Sequence, residues 1–286
     1  MSSLSQSTAM RARAAALAGL MAFGALAART ADADPAAWSP EPPPRLIEDR
    51  LRLELGVFFG QVSTQLRLDP TTTVPGSDFS AERDLGLAKS KVLPDFELTL
   101  LPGSRNLLRL SALPLRRHAE TTLDRSLLVQ NSPFNQGEIV DTDIDVNLYG
   151  VTYGYRIVRR ESAELAATVG LQVADMSAEI VSRNTAVREQ KNGIVPIPLF
   201  GLEGRWDFTR RWSAEGRVQY ITAHASDING SVLDARLAAT WRANPHLLIG
   251  LGYRDFRIDI DSQSSGAPGR LTFNLKGPQL YLRASL

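Results

Sequence analysis

Over most of its length this chain alternates apolar and polar residues with a period of two, and no other feature limits its fold as strongly. Leu51, Leu53, Leu55, Val57 and Phe59 are separated by Arg52, Glu54, Gly56 and Phe58. Successive side chains of a strand point to opposite faces, so this spacing predicts strands and excludes an amphipathic helix, whose apolar residues recur every three or four positions. After Gly60 the parity moves to Val62, Thr64, Leu66 and Leu68, as a bulge at Gly60 would produce. The same period returns around Phe96, Leu98 and Leu100, around Leu108 and Leu110, and at Ile144, Val146 and Leu148 between Asp143, Asp145 and Asn147. It continues from Leu165 to Val173, Leu202 to Phe208, Ala214 to Tyr220, Leu233 to Trp241, Leu247 to Tyr253 and Leu280 to Leu286. These runs predict an all-β chain of ten strands, with eight as the alternative.

The connections alternate in length. Long or turn-rich stretches (69–90, 116–137, 181–193, 261–269) take turns with tight ones, such as Pro102-Gly103-Ser104, Thr209-Arg210-Arg211 and Ala243-Asn244-Pro245. Short turns at one end and longer loops at the other are the mark of an up-and-down transmembrane barrel, and an even strand number returns both chain ends to the short-turn side. On the long side one connection is brief, because Asn229-Gly230 is a strong two-residue hairpin signal.

Composition narrows the function classes. Hydrophobic residues make up 43% and charged residues 22%, which excludes a disordered chain and a helical membrane bundle. With 32 Lys+Arg against 31 Asp+Glu there is no basic surplus for nucleic acid. Absence of cysteine excludes both a disulfide framework and a lipid-bearing cysteine after a signal.

Arg11 and Arg13 precede an apolar stretch, Ala14 to Ala28, that is shorter than a membrane-spanning helix requires. Ala31-Asp32-Ala33 follows as a small-x-small cleavage pattern, with Ala25-Leu26-Ala27 as a second candidate, so residues 1–33 read as a secretory signal peptide. Residues 34–50, with Pro35, Pro40, Pro42, Pro43 and Pro44, read as a flexible lead-in. Residues 51–286 then form one domain.

Aromatic residues gather beside the tight turns: Tyr153 and Tyr155, Trp206 and Phe208, Trp212, and Trp241. Rings with polar edges prefer a membrane–water boundary, which predicts an interfacial girdle there.

The signal peptide, the period-two segments and the C-terminal stretch Gly277-Pro278-Gln279-Leu280-Tyr281-Leu282-Arg283-Ala284-Ser285-Leu286 resemble the small outer-membrane β-barrel proteins of Gram-negative bacteria. The last strand is similar to their assembly signal, a Gly followed by apolar residues three and five positions on, here Leu280 and Leu282, although this chain ends in Leu286 where the family usually ends in Phe. The resemblance implies an outer-membrane location with both termini in the periplasm. It also implies contact with outer-membrane lipid and recognition by the barrel-assembly machinery through the C-terminal strand.

With the apolar set facing lipid, the enclosed set is Glu97, Arg109, Asp143, Asp145, Glu203, Arg205, Asp207, Glu215, Arg217, Asp234, Arg236, Arg242 and Arg283. Both signs are present, and side chains nearly fill a barrel of eight to ten strands, so pairing into a plug is expected and a wide pore is not. The function expected is an integral barrel with a structural role or slow passage of a small solute of unknown identity, with no cofactor and no metal. The alternatives are a rim hydrolase and a surface-binding adhesin. His118 and the pair His224 and Ser226 are the catalytic candidates at the long-loop end: His-x-Ser resembles the pair of outer-membrane lipid A deacylases. Asp141, Asp143 and Asp145 with a histidine would resemble the site of the omptin proteases, whose Asp-x-His is missing here.

Overall fold

A computed structural model describes residues 50–69, 78–129, 132–185, 187–225, 228–263 and 269–286. The expected signal peptide and almost all of the lead-in lie outside the described residues. Those described form β1 (Leu51–Leu68), β2 (Phe79–Ser80), β3 (Ser90–Leu100), β4 (Asn106–Thr122), β5 (Leu127–Val129), β6 (Ser132–Phe134), β7 (Ile139–Arg159), β8 (Ala163–Ser182), β9 (Arg188–Asp207), β10 (Trp212–Ala225), β11 (Ile228–Asn244), β12 (Leu247–Ser262) and β13 (Gly269–Ser285). Ten of these close into an antiparallel up-and-down barrel. Chain neighbours are sheet neighbours, and β13 returns to pair with β1, setting Val57 opposite Leu280. Closure leaves the sheet without an unpaired edge strand. The tight connections and residues 50 and 286 lie at one end, here the turn end; the described residues 78–89, 123–129, 132–138 and 183–185 lie at the other, the loop end.

Strand parity sorts the side chains. In the turn half, Leu53, Leu55, Val57 and Phe59 on β1, Val169 and Leu171 on β8, Leu237 on β11 and Leu251 on β12 point outward and are exposed. Their strand neighbours Glu54, Glu97, Asp234 and Arg236 point inward and are buried. Towards the loop end the arrangement inverts. Val62 and Thr64 on β1 and Ile144, Val146 and Leu148 on β7 are buried inside, while Gln61, Ser63, Gln65 and Asp143 face out.

Two expectations are corrected by this inversion. There is no bulge at Gly60: Phe59 pairs with Val92, Gly60 with Lys91 and Gln61 with Ser90 in unbroken register. The parity never changes; what changes is which set occupies the inside. Asp143 and Asp145 are likewise not lumen residues. They share the outward row, and the Asp143 side chain is 59% exposed. Apolar residues enclosed and charges outside are the arrangement of a soluble barrel, the one that water outside the wall favours.

The enclosed apolar tier joins residues from every side of the barrel, among them Phe58, Leu93, Leu115, Leu148, Leu199, Phe256, Phe273 and Leu275. Phe256 and Phe273 meet edge to face, with centroids 6.3 Å apart. Beyond it, the segment after β1 and the β5–β6 hairpin fold over the loop end, where Phe79, Leu85, Leu127, Val129 and Phe134 make a second cluster.

Two local features depart from simple hairpin reading. Asn229 and Gly230 are strand residues, paired with His224 and Ala223, and the β10–β11 ladder runs on to Ala225 and Ile228. A turn at Asn229-Gly230 would place Ile228 opposite Ser231; the register that sets Gln219 opposite Asp234 and Trp212 opposite Trp241 overrides it. The β9–β10 ladder also stops at Phe200 and Tyr220. Past that point Val195 to Leu199 pair only with β8, and Ile221 to Ala225 only with β11. The β8–β9 ladder is intact across Pro196 and Pro198, so the N–H groups these prolines lack are the ones that would face β10.

Candidate functional site: the charged lumen

Inward positions in the turn half bring charges from most strands to one level. Glu97 of β3 accepts from Arg217 of β10, with Nη2 to Oε1 at 2.5 Å, and lies 3.5 Å from both Arg109 of β4 and Arg236 of β11. Arg109 Nη1 reaches Glu203 Oε2 at 2.8 Å. Glu54 of β1 accepts from Arg236 and from Arg283 of β13, whose Nη2 lies 2.8 Å from Oε2. Arg283 also grips Glu215 through two bonds of 2.6 and 2.7 Å. Arg254 of β12 forks onto Asp234 at 2.9 and 2.7 Å, and Gln279 donates to Asp95. The Tyr281 ring lies 4.3 Å from the Arg236 guanidinium carbon, and a side chain at Gly250 would collide with that ring.

Each of these carboxylates has at least one arginine or amide partner. Pairing of this kind offsets the large cost of taking charges out of water, whereas removing one member leaves its partner exposed to that cost. The arrangement crosses the lumen laterally and chains the strands to one another. Towards the turn end it opens into a cavity of about 90 Å³ whose mouth carries Arg52, Arg156, Glu164 and Arg205.

The lumen residues expected from the sequence divide as follows. Glu97, Arg109, Glu203, Glu215, Arg217, Asp234, Arg236 and Arg283 come together in the network. Arg205 and Asp207 pair with one another at 2.8 Å near the turns, and Arg242 ends the inward row of β11. Asp143 and Asp145 are elsewhere, on the outer wall. Sequence reasoning missed Glu54, Asp95, Arg254, Gln279, Arg156 and Tyr281. Glu54, Asp95 and Arg254 stood in inward rows of runs already recognised, so strict use of parity finds them. Tyr281 and Gln279 carry no such signal, being uncharged.

Tyr153, Tyr155, Phe208 and Trp212 point outward and are exposed, with Trp206 and Trp241 half-buried beside them. Trp212 faces Trp241 across the β10–β11 pair, and Trp206 lies 5.9 Å from Phe208. His118 Nδ1 lies 2.9 Å from Asp143 Oδ1, on the exposed outer wall and not within a cleft. His224 is exposed on the β10 rim, and Ser226 falls outside the described residues. No group of metal-ligating side chains occurs among the described residues.

No protein-family model matches the chain, and no curated protein matches it. Solved structures do. The outer-membrane protease OmpT from Escherichia coli superposes with a TM-score of 0.56 at 10% identity, over 88% of this chain and 99% of that one. The transport unit of the autotransporter AIDA-I from Escherichia coli gives 0.44 at 9% identity, covering 92% and 98%. The attachment invasion locus protein Ail of Yersinia pestis gives 0.34 at 12% identity, covering 82% and 99%. At such identities the likeness is one of fold, and among these three it is the OmpT superposition that carries it. The chain therefore has the fold of the Gram-negative outer-membrane β-barrels, the fold it shares with OmpT.

Proposed function

We propose that this protein is an integral outer-membrane barrel with a closed lumen, both termini in the periplasm, and a structural role in the envelope. The observation that carries this reading is the apolar tier. Phe58, Phe256, Phe273 and Leu275 meet inside the wall, each at most 1% exposed, directly above the ion-paired level. A solute crossing the barrel would have to part a salt-bridge network and then a packed hydrophobic core, two barriers of opposite chemistry.

The outward belt of the turn half supplies the lipid-facing surface, and Tyr153, Tyr155, Trp206, Phe208, Trp212 and Trp241 border it as an interfacial girdle. β13, with Leu280 and Leu282 outward, is the strand offered to the assembly machinery. The wall beyond the belt, with Asp143, His118 and Glu120, stands in water outside the cell. A structural role is preferred to a hydrolase because, among the described residues, the interior of the loop end holds a packed core and a buried ion pair.

Planar-bilayer recordings on the purified, folded protein test this reading. The expected result is an unbroken baseline together with heat-modifiable migration on a gel; steady single-channel steps would replace it with a pore.

A further inference from the structure

The turn-end mouth of the lumen is rich in arginine. Seven arginines and five glutamates line its cavity. Four of those glutamates, Glu54, Glu97, Glu203 and Glu215, are engaged by Arg236, Arg217, Arg109 and Arg283 of the same lining, and Arg205 pairs with Asp207. Arg156 on β7 is different. It is only 6% exposed, yet its contacts are long: Nη1 lies 3.4 Å from the Ser104 carbonyl and 3.8 Å from Glu164 Oε1. Its Nη2 is buried with no hydrogen-bond partner. A buried guanidinium nitrogen without an acceptor costs more than the bond it would form, so it is a position where an incoming acceptor is favoured. The cavity beside it, of about 90 Å³, has roughly the volume share of three water molecules.

Outside the mouth the turns are basic. Arg105, Arg159, Arg160, Arg210 and Arg211 are exposed around it, with Glu161 the acid among the turn residues. Such a ring raises the local concentration of anions and guides them inward. The planar fork of arginine matches two oxygens of a tetrahedral oxyanion better than any other side chain does.

We propose that the turn-end cavity binds a phosphate-class oxyanion, with Arg156 as its principal ligand. The source is either free inorganic phosphate or the phosphate of a lipid headgroup at the rim. The proposal does not require a sealed lumen, so a conductance result leaves it standing.

Calorimetric titration of inorganic phosphate into the full chain, folded in zwitterionic detergent at fixed ionic strength, is the first arm. Saturable one-to-one binding is expected, weakened at least tenfold in Arg156→Gln and several-fold in Arg156→Lys, which retains the charge but loses the fork. Arg159→Gln on the outer ring should alter only the salt dependence. In the second arm the protein is reconstituted in phosphatidylcholine vesicles with and without phosphatidylglycerol, and its thermal midpoint is followed. A stabilisation by phosphatidylglycerol that vanishes in Arg156→Gln, with no free phosphate bound, assigns the site to the headgroup. Should Arg156→Gln fail to fold, Arg156→Lys carries both arms. Binding that is equal in wild type and the Arg156 variants, or absent in wild type from both arms, overturns the proposal.

Discussion

Arg117 of β4 and Glu82, from the segment that follows β1, form an ion pair inside the barrel with side chains only 1% and 3% exposed. Arg117 Nη2 donates to Thr64 Oγ1 at 2.7 Å, and the Thr64 amide donates to Glu82 Oε2 at 2.8 Å. One buried knot thus ties β1, β4 and the covering segment where the apolar tier meets the loop-end cluster. Glu82→Gln leaves the Arg117 charge uncompensated and should destabilise the fold by about 3–5 kcal/mol. The double variant Arg117→Met with Glu82→Leu should lose far less. Urea unfolding of protein reconstituted in lipid vesicles reads both, and equal losses would refute the assignment of the cost to the orphaned charge.

The two halves of the outer wall should respond oppositely to charge. Leu251, 62% exposed on the belt, sits where Leu251→Arg is expected to cost about 2–4 kcal/mol of folding into lipid. Asp143→Asn, on the wall above, removes only an exposed pair with His118 and should cost under about 1 kcal/mol. Vesicle-folding titrations measure both; a large loss at Asp143 would return it to the lumen.

Truncating the apolar tier tests whether one barrier suffices. Phe256→Ala should destabilise by about 3–5 kcal/mol, since it empties a site packed edge-on against Phe273. Conductance should stay at baseline, because the charged level beneath is untouched. Channel steps in this single variant would show that the ion pairs do not seal.

The seam between β9 and β10 predicts a local exchange pattern. Amides of Ile221 to His224 that face β9 should exchange with deuterium faster than those of Arg217 to Tyr220, which remain paired. Pro196→Ala with Pro198→Val restores the missing donors, and protection should then extend towards the loop end. No change on substitution would assign the gap to something other than the prolines.

Two loop-end carboxylates set an acid response. Burial alone would raise Asp84, but bonds from Arg83, the Ser80 amide and Arg125 outweigh it and bring it from the ordinary 3.8 down to about 2. Hydrogen bonds from Ser182 and Asn135 hold Glu138 below the ordinary range. A lowered folded-state pKa means stability that is present above the unfolded value and is lost as pH falls through the folded one. The covering segments should therefore stay closed at neutral pH and loosen between about pH 4 and pH 2. Ser182→Ala should move the Glu138 part of that transition to higher pH. Acid protease cleavage across this range follows it, and a transition unmoved by Ser182→Ala would count against the bond.

Strand number, antiparallel order and the exposed face of the turn half were legible because alternation is local: Leu165 to Val173 can satisfy one apolar face in only one way. Most of the ion-paired level followed from the same rows. The bulge at Gly60, the turn at Asn229-Gly230 and the lumen positions of Asp143 and Asp145 were misread for a common reason. Each assumed that the apolar row faces outward along the whole strand, or that a strong dipeptide outranks the register of its neighbours.

By itself, the sequence determines two faces per strand, because the pleat has a period of two whatever surrounds it. It also favours closure, because pairing the first of ten such strands with the last removes the free edges of the sheet. Which face looks inward at a given height was decided only by tertiary structure, since that depends on whether lipid or water lies outside the wall at that level. The pairing of Glu54 with Arg236 and Arg283, and of Glu82 with Arg117, was decided there too, because these partners come from distant strands that only barrel closure brings to one height.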